Sequence, residues 1–266
     1  MGYIKVKRDT LDTISRNEEF AVDTNVIVGA AENNDPGLIQ EVIKYQNCSV
    51  TNTCLNELKG LMKSGMFNGE QINWLESFIL MFKNRVIIVP QAERIKIEKE
   101  LNNLVPLLPR SAAYYVVSNF MDELCKKCDQ LQQLKTSLTK EDYNKFAEEY
   151  KEEVETLREK CEDRYLDLSE NFIFIPQPVE AVYMNEIMKF VDSKLAEMWK
   201  VVVNSKGDLN YVKSQIKKIK NKTYENDVRI VAESIIKGIE TISDDSDVMW
   251  LFTLYYLRHA TQTGHP

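Results

Sequence analysis

The segment Glu19-Phe-Ala-Val-Asp-Thr-Asn-Val-Ile-Val28 joins a short apolar run to three polar residues and then to a second apolar run. Phe20–Val22 has the composition of a buried strand, and Asp23, Thr24 and Asn25 follow where that strand ends. In an open α/β sheet, ligands bind at the carboxyl ends of the strands. The segment therefore predicts a strand that brings polar side chains to a ligand-binding edge.

Predicted strands and helices alternate along much of the rest of the chain. Cys48-Ser-Val50, Arg85-Val-Ile-Ile-Val-Pro90 and Ile239-Glu-Thr-Ile242 have the pattern of strands. Asp35–Tyr45 and Gly69–Phe82 have the pattern of helices. The alternation predicts an α/β fold with a central, mostly parallel sheet.

The pattern changes to helices between residues 91 and 168. Apolar residues keep helical spacing from Val117 to Leu138 and again from Tyr143 to Leu168, and Thr139-Lys-Glu-Asp142 between them resembles a capping box. We expect an antiparallel helical hairpin. Its second arm, Glu141–Glu170, has twelve acids and five bases, which is typical of a solvated face. The alternative is an interaction surface for a second copy of the chain or another protein.

A basic segment follows a predicted helix from Val179 to Val203, and Asn171-Phe-Ile-Phe-Ile-Pro176 before that helix could be a further strand. Lys206–Lys222 contains six lysines and one acid. A solvated basic helix is one interpretation, and contact with a nucleic-acid backbone is the other. The proposed nucleic-acid contacts are Lys213, Lys217, Lys218, Lys220 and Lys222.

The charge balance does not exclude a nucleic-acid substrate. The 266 residues include 41 Asp and Glu against 34 Lys and Arg, a net charge of −7. The arm Glu141–Glu170 alone contributes −7, so the rest of the chain is neutral overall. Only two histidines occur, His259 and His265, which argues against a zinc site with several histidines and against a histidine-based triad.

The cysteines and the apolar runs indicate a reduced, cytoplasmic protein. The five cysteines are odd in number and lack the spacing of a disulfide scaffold. No leader-like apolar segment opens the sequence, and no apolar run approaches the roughly 20 residues that a membrane helix needs. Cys125-Lys-Lys-Cys128 is a lone CxxC pair inside a helical pattern, with Cys161 as the one obvious further ligand, so we favour a structural role.

Five acids occupy strand ends or the first turns of the adjoining helices. Thr51 or Asn52 is expected to cap the helix that carries one of them. The five are Asp23 after the first strand, Glu57 after the second, Asp227 in the helix before the last strand, and Asp245 and Asp247 after that strand. Several carboxylates in one pit repel one another, so we expect Mg²⁺ or Mn²⁺, which prefer oxygen ligands. Two such ions about 4 Å apart could activate a water and stabilise the leaving oxygen of a phosphodiester.

Four segments resemble the acidic motifs of PIN-domain nucleases, and they occur in the same order. They are Val22-Asp-Thr-Asn-Val26, Asn52-Thr-Cys-Leu-Asn-Glu-Leu58, Asn226-Asp227 and Ser243-Asp-Asp-Ser-Asp247. The resemblance covers about Phe20–Val89 and Tyr224–Leu257. It implies a PIN-like three-layer α/β/α domain in residues 1–90 and 221–266. Compact PIN domains are much shorter, so residues 91–220 would be a helical insertion that contains the hairpin.

The resemblance also implies site residues and an activity. Asp23, Glu57, Asp227 and Asp245 would be catalytic and would bind Mg²⁺ or Mn²⁺, with Asp247 as an accessory fifth ligand. Asn25 and Ser243 match the polar residues that hold the first and last acids, or a water, in place. The implied activity is metal-dependent endonuclease cleavage, with RNA favoured over DNA as the substrate and no membrane involved.

Neighbouring acids compete with some of these assignments. Glu57 has Glu70 and Glu76 as rivals, and a shift of one residue would exchange Asp245 with Asp244. Asp227 has two rivals of its own, Glu225 and Glu233. The closing strand that usually follows the last acid of the family is not evident in this sequence.

Three other functions compete with an endoribonuclease as interpretations of this sequence. A structure-specific DNA nuclease could use the helical insertion as an arch over single strands. A catalytically inactive scaffold of the same fold could bind nucleic acid without cleaving it. An aspartyl-phosphate hydrolase would need a second Asp two residues after Asp23, where Asn25 stands, so this chemistry is disfavoured.

Overall fold

The computed structural model describes residues 3–4, 19–32, 47–134, 141, 144–145, 148–149, 156–157 and 177–262. The predicted helix Asp35–Tyr45 and the predicted strand Asn171–Pro176 lie outside these residues, as do His265 and Cys161. Most of the acidic arm Glu141–Glu170 also lies outside them. The helical hairpin therefore stays a prediction.

The described elements match most of the predicted ones. The strands are Tyr3–Ile4 (β1), Phe20–Val22 (β2), Cys48–Thr51 (β3), Val86–Ile87 (β4) and Glu240–Ile242 (β5). The helices are Thr24–Glu32 (α1), Asn52–Lys63 (α2), Gly69–Phe82 (α3), Gln91–Asn102 (α4), Pro109–Leu134 (α5), Gln177–Asn204 (α6), Leu209–Ile216 (α7), Glu225–Lys237 (α8) and Ser246–Gln262 (α9). A short 3-10 turn, Val105–Leu107, lies between α4 and α5. Thr51 caps α2, because its side chain accepts a hydrogen bond from the N–H of Cys54.

The chain divides into two compact units. One contains Met1–Val105 and Thr223–Tyr256, and the other contains Pro106–Lys222 and Leu257–Pro266. The first boundary between the units therefore falls after α4. The sequence analysis placed the start of the helical insertion earlier, at residue 91. The reason is that α4 packs against α8 within the first unit.

The first unit is built on a parallel five-stranded sheet with the order β1-β5-β2-β3-β4. This confirms the predicted α/β class and parallel sheet. Strand β1 is an addition that the sequence did not predict. Strand β4 is shorter than the predicted Arg85–Pro90, since it lies at an edge of the sheet and Pro90 has no N–H to donate.

The register of β2 decides which residues meet at the carboxyl edge. Val22 pairs with Val50 on one side and with Ile242 on the other. The N–H of Asp23 donates to the carbonyl of Ile242 at 2.9 Å. The residues that follow β2 and β5 therefore emerge together, although Asp23 and Ser243 are 220 positions apart in sequence.

Strand β2 is buried on both faces. Phe20 and Val22 pack in a core with apolar residues of α1, α2 and α3, whereas Ala21 packs with Ile87 and Ile239. Successive side chains of a strand point to opposite faces of the sheet. Burial of both faces explains why β2 is a continuous apolar run rather than an alternating one.

A buried carboxylate ties α2, α4 and α8 together. Glu233 of α8 is 1% exposed and accepts hydrogen bonds from the backbone N–H and the hydroxyl of Thr53, at 3.2 and 2.9 Å. The guanidinium of Arg94 in α4 pairs with the same carboxylate at 3.4 Å. Thr53 lies in the first turn of α2, where a negative charge is favourable. Glu233, a rival of Asp227 in the sequence, therefore fastens three helices.

We expect Arg94→Met to lower the free energy of unfolding by about 1–3 kcal/mol, because it leaves a buried carboxylate without its cation. The matched control is Arg229→Met, because both arginines also contact Glu98 but the other partner of Arg229, Glu225, is exposed. An exposed pair contributes less, so the control should lose at most about 1 kcal/mol. Urea unfolding curves of both variants measure the difference, and equal losses would contradict the role given to Glu233.

The described part of the second unit is helical, as predicted for the insertion. Helix α5 packs on α6 and α7, and α6 packs on α7. The hydroxyl of Tyr183 in α6 donates to the carbonyl of Leu107. Apolar side chains buried in this unit include Val117, Phe120, Leu124, Ile187, Val191, Met198, Leu209, Val212 and Ile216. Among the described helices, none has the length and apolar character needed to cross a membrane.

Candidate metal centre

Asp23 stands directly after β2 and is 4% exposed. Its Oδ1 accepts the N–H of Thr24 at 2.6 Å, where α1 begins. Its Oδ2 accepts the hydroxyl of Ser243 at 2.6 Å. Because Ser243 directly follows β5, this hydrogen bond links the carboxyl ends of the neighbouring strands β2 and β5.

Ser243 is the hydrogen-bonding hub of this edge. Besides donating to Asp23, its Oγ accepts from the side-chain amide of Asn25 and from the N–H of Asp245, both at 3.0 Å. A hydroxyl can donate one hydrogen bond and accept two, so its capacity is used in full. The side-chain oxygen of Asn25 accepts from the N–H of Asp244 at 3.3 Å. The two predicted supporting residues thus link α1 to the loop before α9.

Three acids form a tight group beside this edge. One carboxylate oxygen from each of Asp227, Asp245 and Asp247 lies within 4.8 Å of the others. Asp227 is in the first turn of α8, while Asp245 precedes α9 and accepts the N–H of Asp247 at 2.9 Å. Asp247 is 1% exposed, whereas Asp244, which precedes Asp245, is exposed. Asp245 therefore belongs to the acidic group, and Asp244, which a shift of one residue would have selected instead, does not.

The environment of Asp23 disfavours its negative charge. Burial raises the pKa of this carboxyl from 3.8 to about 7. The hydrogen bond from Ser243 lowers the pKa, but by less than burial raises it. The negative charges of Asp227 and Asp245 add to the increase of the pKa. A cation at this edge would favour the ionised carboxylate.

Glu57 lies on α2 and is held by two neutral donors. Its Oε2 accepts the hydroxyl of Thr24 at 2.6 Å, and its Oε1 accepts the side-chain amide of Asn226 at 3.0 Å. Its rivals Glu70 and Glu76 are exposed on α3. Glu57 is therefore the acid of this region that is bonded to the residues next to Asp23 and Asp227.

The competitors of Asp227 are occupied elsewhere. Glu225 is exposed and pairs with Arg229 on the same helix. Glu233 bonds Thr53 and Arg94, as described above. Asp227 alone of these three belongs to the tight acidic group.

The donor set fits a hard divalent cation. Asp227, Asp245 and Asp247 offer carboxylate oxygens at close range. Asp23 accepts a hydrogen bond from Ser243, and Glu57 accepts one from Asn226, the residue before Asp227. Oxygen ligands of this kind suit Mg²⁺ and Mn²⁺. Asp247, predicted as an accessory ligand, belongs to the tightest part of the group, while Asp23 and Glu57 are outside that part.

Two residues of this edge had no role assigned from the sequence. Thr24 and Asn226 were part of the quoted motifs, but their donation to Glu57 was not predicted. The available signal was their position, since Thr24 follows Asp23 and Asn226 precedes Asp227. That signal does not identify Glu57 as the acceptor.

The predicted nucleic-acid contacts lie in the second unit and differ in environment. Lys213 of α7 pairs with Asp129 of α5, so its ammonium group is engaged within the protein. Lys217, Lys218 and Lys220 are exposed, and Lys222 is half-buried. The three exposed lysines are therefore the better placed of the five to contact a phosphate.

Burial disfavours the thiolate form of the CxxC pair, Cys125 and Cys128. Burial raises the pKa of Cys128 to about 12, and it also raises the pKa of Cys125. Both residues lie on α5. A thiol with a raised pKa stays protonated near neutral pH, which agrees with the structural role favoured from the sequence.

Comparisons with protein-family models, with curated proteins and with solved structures found no match to this chain. The PIN-like resemblance therefore rests on the sequence motifs.

We expect Ser243→Ala to lower the free energy of unfolding by about 2–3 kcal/mol, because the buried Asp23 carboxylate loses its hydroxyl donor. Ser77→Ala is the matched control, since Ser77 is exposed on α3 and bonds one backbone carbonyl of its own helix. The control should change stability by less than about 0.5 kcal/mol. Chemical denaturation in EDTA measures both variants, and a loss for Ser243→Ala no larger than for the control would contradict the hub.

The pKa of Asp23 predicts a pH dependence of stability in metal-free protein. A raised pKa means that the folded state binds a proton more tightly than the unfolded state. The free energy of unfolding should therefore fall as the pH rises from about 4 to about 7 and change no further from this source above pH 7. An Asp23→Asn variant lacks this decline, so the two curves should diverge by about 2–4 kcal/mol between pH 4 and pH 8. Urea unfolding in EDTA across that range measures the divergence, and parallel curves would be the contrary result.

Proposed function

We propose that the protein is a metal-dependent endonuclease of the PIN-like type that hydrolyses phosphodiester bonds in single-stranded RNA. The observation that carries the proposal is the gathering of acids at the carboxyl edge of β2 and β5. Asp23 is bonded there to Ser243, and Asp227, Asp245 and Asp247 lie within reach of one ion. In this proposal the first unit is the PIN-like domain, with the three-layer order that the resemblance implies.

The residues have distinct parts in this reaction. Asp227, Asp245 and Asp247 would hold Mg²⁺ or Mn²⁺, with Asp23 and Glu57 completing the acidic edge. When bound, the metal supplies activation of water and stabilisation of the leaving oxygen. Ser243 and Asn25 orient Asp23 and the loop before α9 through the hydrogen bonds described above.

Contact with the nucleic-acid backbone is assigned to lysines of the second unit. Lys217, Lys218 and Lys220 are exposed and belong to a segment with five net positive charges, Lys206–Lys222. Lysines bind phosphates without reading base sequence, so this contact would supply affinity rather than sequence preference. The second unit could also bind a protein partner or a second copy of the chain, and the cytoplasmic location stays a prediction from the sequence.

Cleavage of end-labelled single-stranded RNA and DNA of one sequence, with Mn²⁺, tests the proposal. Wild-type protein should cleave the RNA, and EDTA should abolish cleavage. Asp23→Asn and Asp245→Asn should each lower the cleavage rate by at least about 100-fold. Residues that only hydrogen-bond to metal ligands contribute up to about 100-fold, and loss of a ligand itself should cost no less. Asp244→Asn is the matched control, because this neighbour is exposed and lies outside the tight acidic group.

The outcomes separate the competing functions. Equal cleavage by wild type and Asp23→Asn would refute the proposed site. Cleavage of the DNA alone would replace RNA by DNA as the substrate. Binding of Mn²⁺ and RNA without cleavage of the RNA or the DNA substrate would identify an inactive scaffold.

A further inference from the structure

Two dipeptides at the acidic edge share one design. In Asp23-Thr24 and in Asn226-Asp227, one side chain is an acid of the proposed site and the other donates a hydrogen bond to Glu57. Thr24 begins α1 and Asn226 lies in the first turn of α8, so the two donors reach Glu57 from different helices. The orientation of Glu57 is thereby coupled to the positions of both neighbouring acids.

The chemistry of the donors leaves Glu57 able to bind a cation. Both donors are neutral, so neither competes with a cation as a counter-charge of the carboxylate. Each carboxylate oxygen can accept more than one hydrogen bond or ligand, and each of these donors occupies one position. A half-buried glutamate on a helix otherwise samples several rotamers, and the two hydrogen bonds select one of them.

We propose that Asn226 is a positioning residue that, with Thr24, holds Glu57 in the orientation in which its carboxylate binds the divalent cation. The inference rests on the proposed function and assigns a role to a residue outside the acidic set. Asn226 contacts Glu57 rather than the reacting atoms, so its loss should weaken cation binding without removing the cleavage chemistry.

Calorimetric titration of the metal-free 266-residue protein with MnCl₂ tests this role directly. Asn226→Ala removes the amide, and Asn226→Leu removes it while keeping the number and branching of the side-chain heavy atoms. Both should weaken Mn²⁺ binding by about 10-fold or more, as outer partners of metal ligands do. Asn56→Ala is the matched control, because Asn56 precedes Glu57 on α2 and is exposed, and its Mn²⁺ affinity should stay within about two-fold of the wild type.

A second readout separates positioning from a merely structural role. The Mn²⁺ concentration that gives half-maximal RNA cleavage should rise by the same factor as the dissociation constant. Cleavage at saturating Mn²⁺ should return to within a few-fold of the wild-type rate. A residue needed only for folding would lower thermal stability in EDTA and leave the Mn²⁺ requirement of the folded fraction unchanged.

The results distinguish the inference from the function on which it rests. Wild-type Mn²⁺ affinity in both Asn226 variants, together with loss of binding in Asp245→Asn, would overturn the role of Asn226 and leave the metal centre standing. Absence of Mn²⁺ binding to the wild type would overturn both. If the alanine variant does not fold, the leucine variant decides the result.

Discussion

The parallel pairing of β2 with β5 is the constraint on which the candidate site depends. It aligns Val22 with Ile242 and lets the N–H of Asp23 bond the carbonyl of Ile242. Parallel strands end at the same edge, so Asp23 and Ser243 meet there. An antiparallel pairing would send the residue after each strand to opposite ends of the sheet. The hydrogen bond between Asp23 and Ser243, and through Ser243 the placement of Asp245, follow from this one register.

The fold also has to tolerate several negative charges in a small volume. It does so with helix N-termini and neutral donors. Asp23 accepts the N–H that begins α1, and Asp245 accepts an N–H in the first turn of α9. Negative charge at these helix ends is favourable. Ser243, Thr24 and Asn226 supply further donors, all uncharged. These donors lower the cost of the negative charges without cancelling them, although burial still raises the pKa of Asp23.

The sequence predicted what depends on local pattern and missed what depends on packing between distant elements. The apolar run Phe20–Val22 and the helix Gly69–Phe82 were predictable because hydrophobic spacing identifies buried strands and amphipathic helices. The two-residue strand β1 offers no such pattern. The role of Asn226 could not be predicted, because it depends on where α8 meets α2. The different roles of Glu233 and Asp227 could not be predicted for the same reason. Both acids lie on α8, and only the residues that they contact show that Glu233 bonds Thr53 whereas Asp227 belongs to the acidic group.

Helix capping explains part of the acidic edge but not all of it. It accounts for one oxygen of Asp23 and one of Asp245. Asp227 and Asp247 also lie in first turns of helices, where a negative charge is worth about 0.3–1 kcal/mol. That gain is smaller than the several kcal/mol that it costs to remove a charged group from water. Asp247 is 1% exposed, and its carboxylate lies within 4.8 Å of two others. Structural capping alone would not favour such crowding, whereas a divalent cation shared by the three acids would offset its cost.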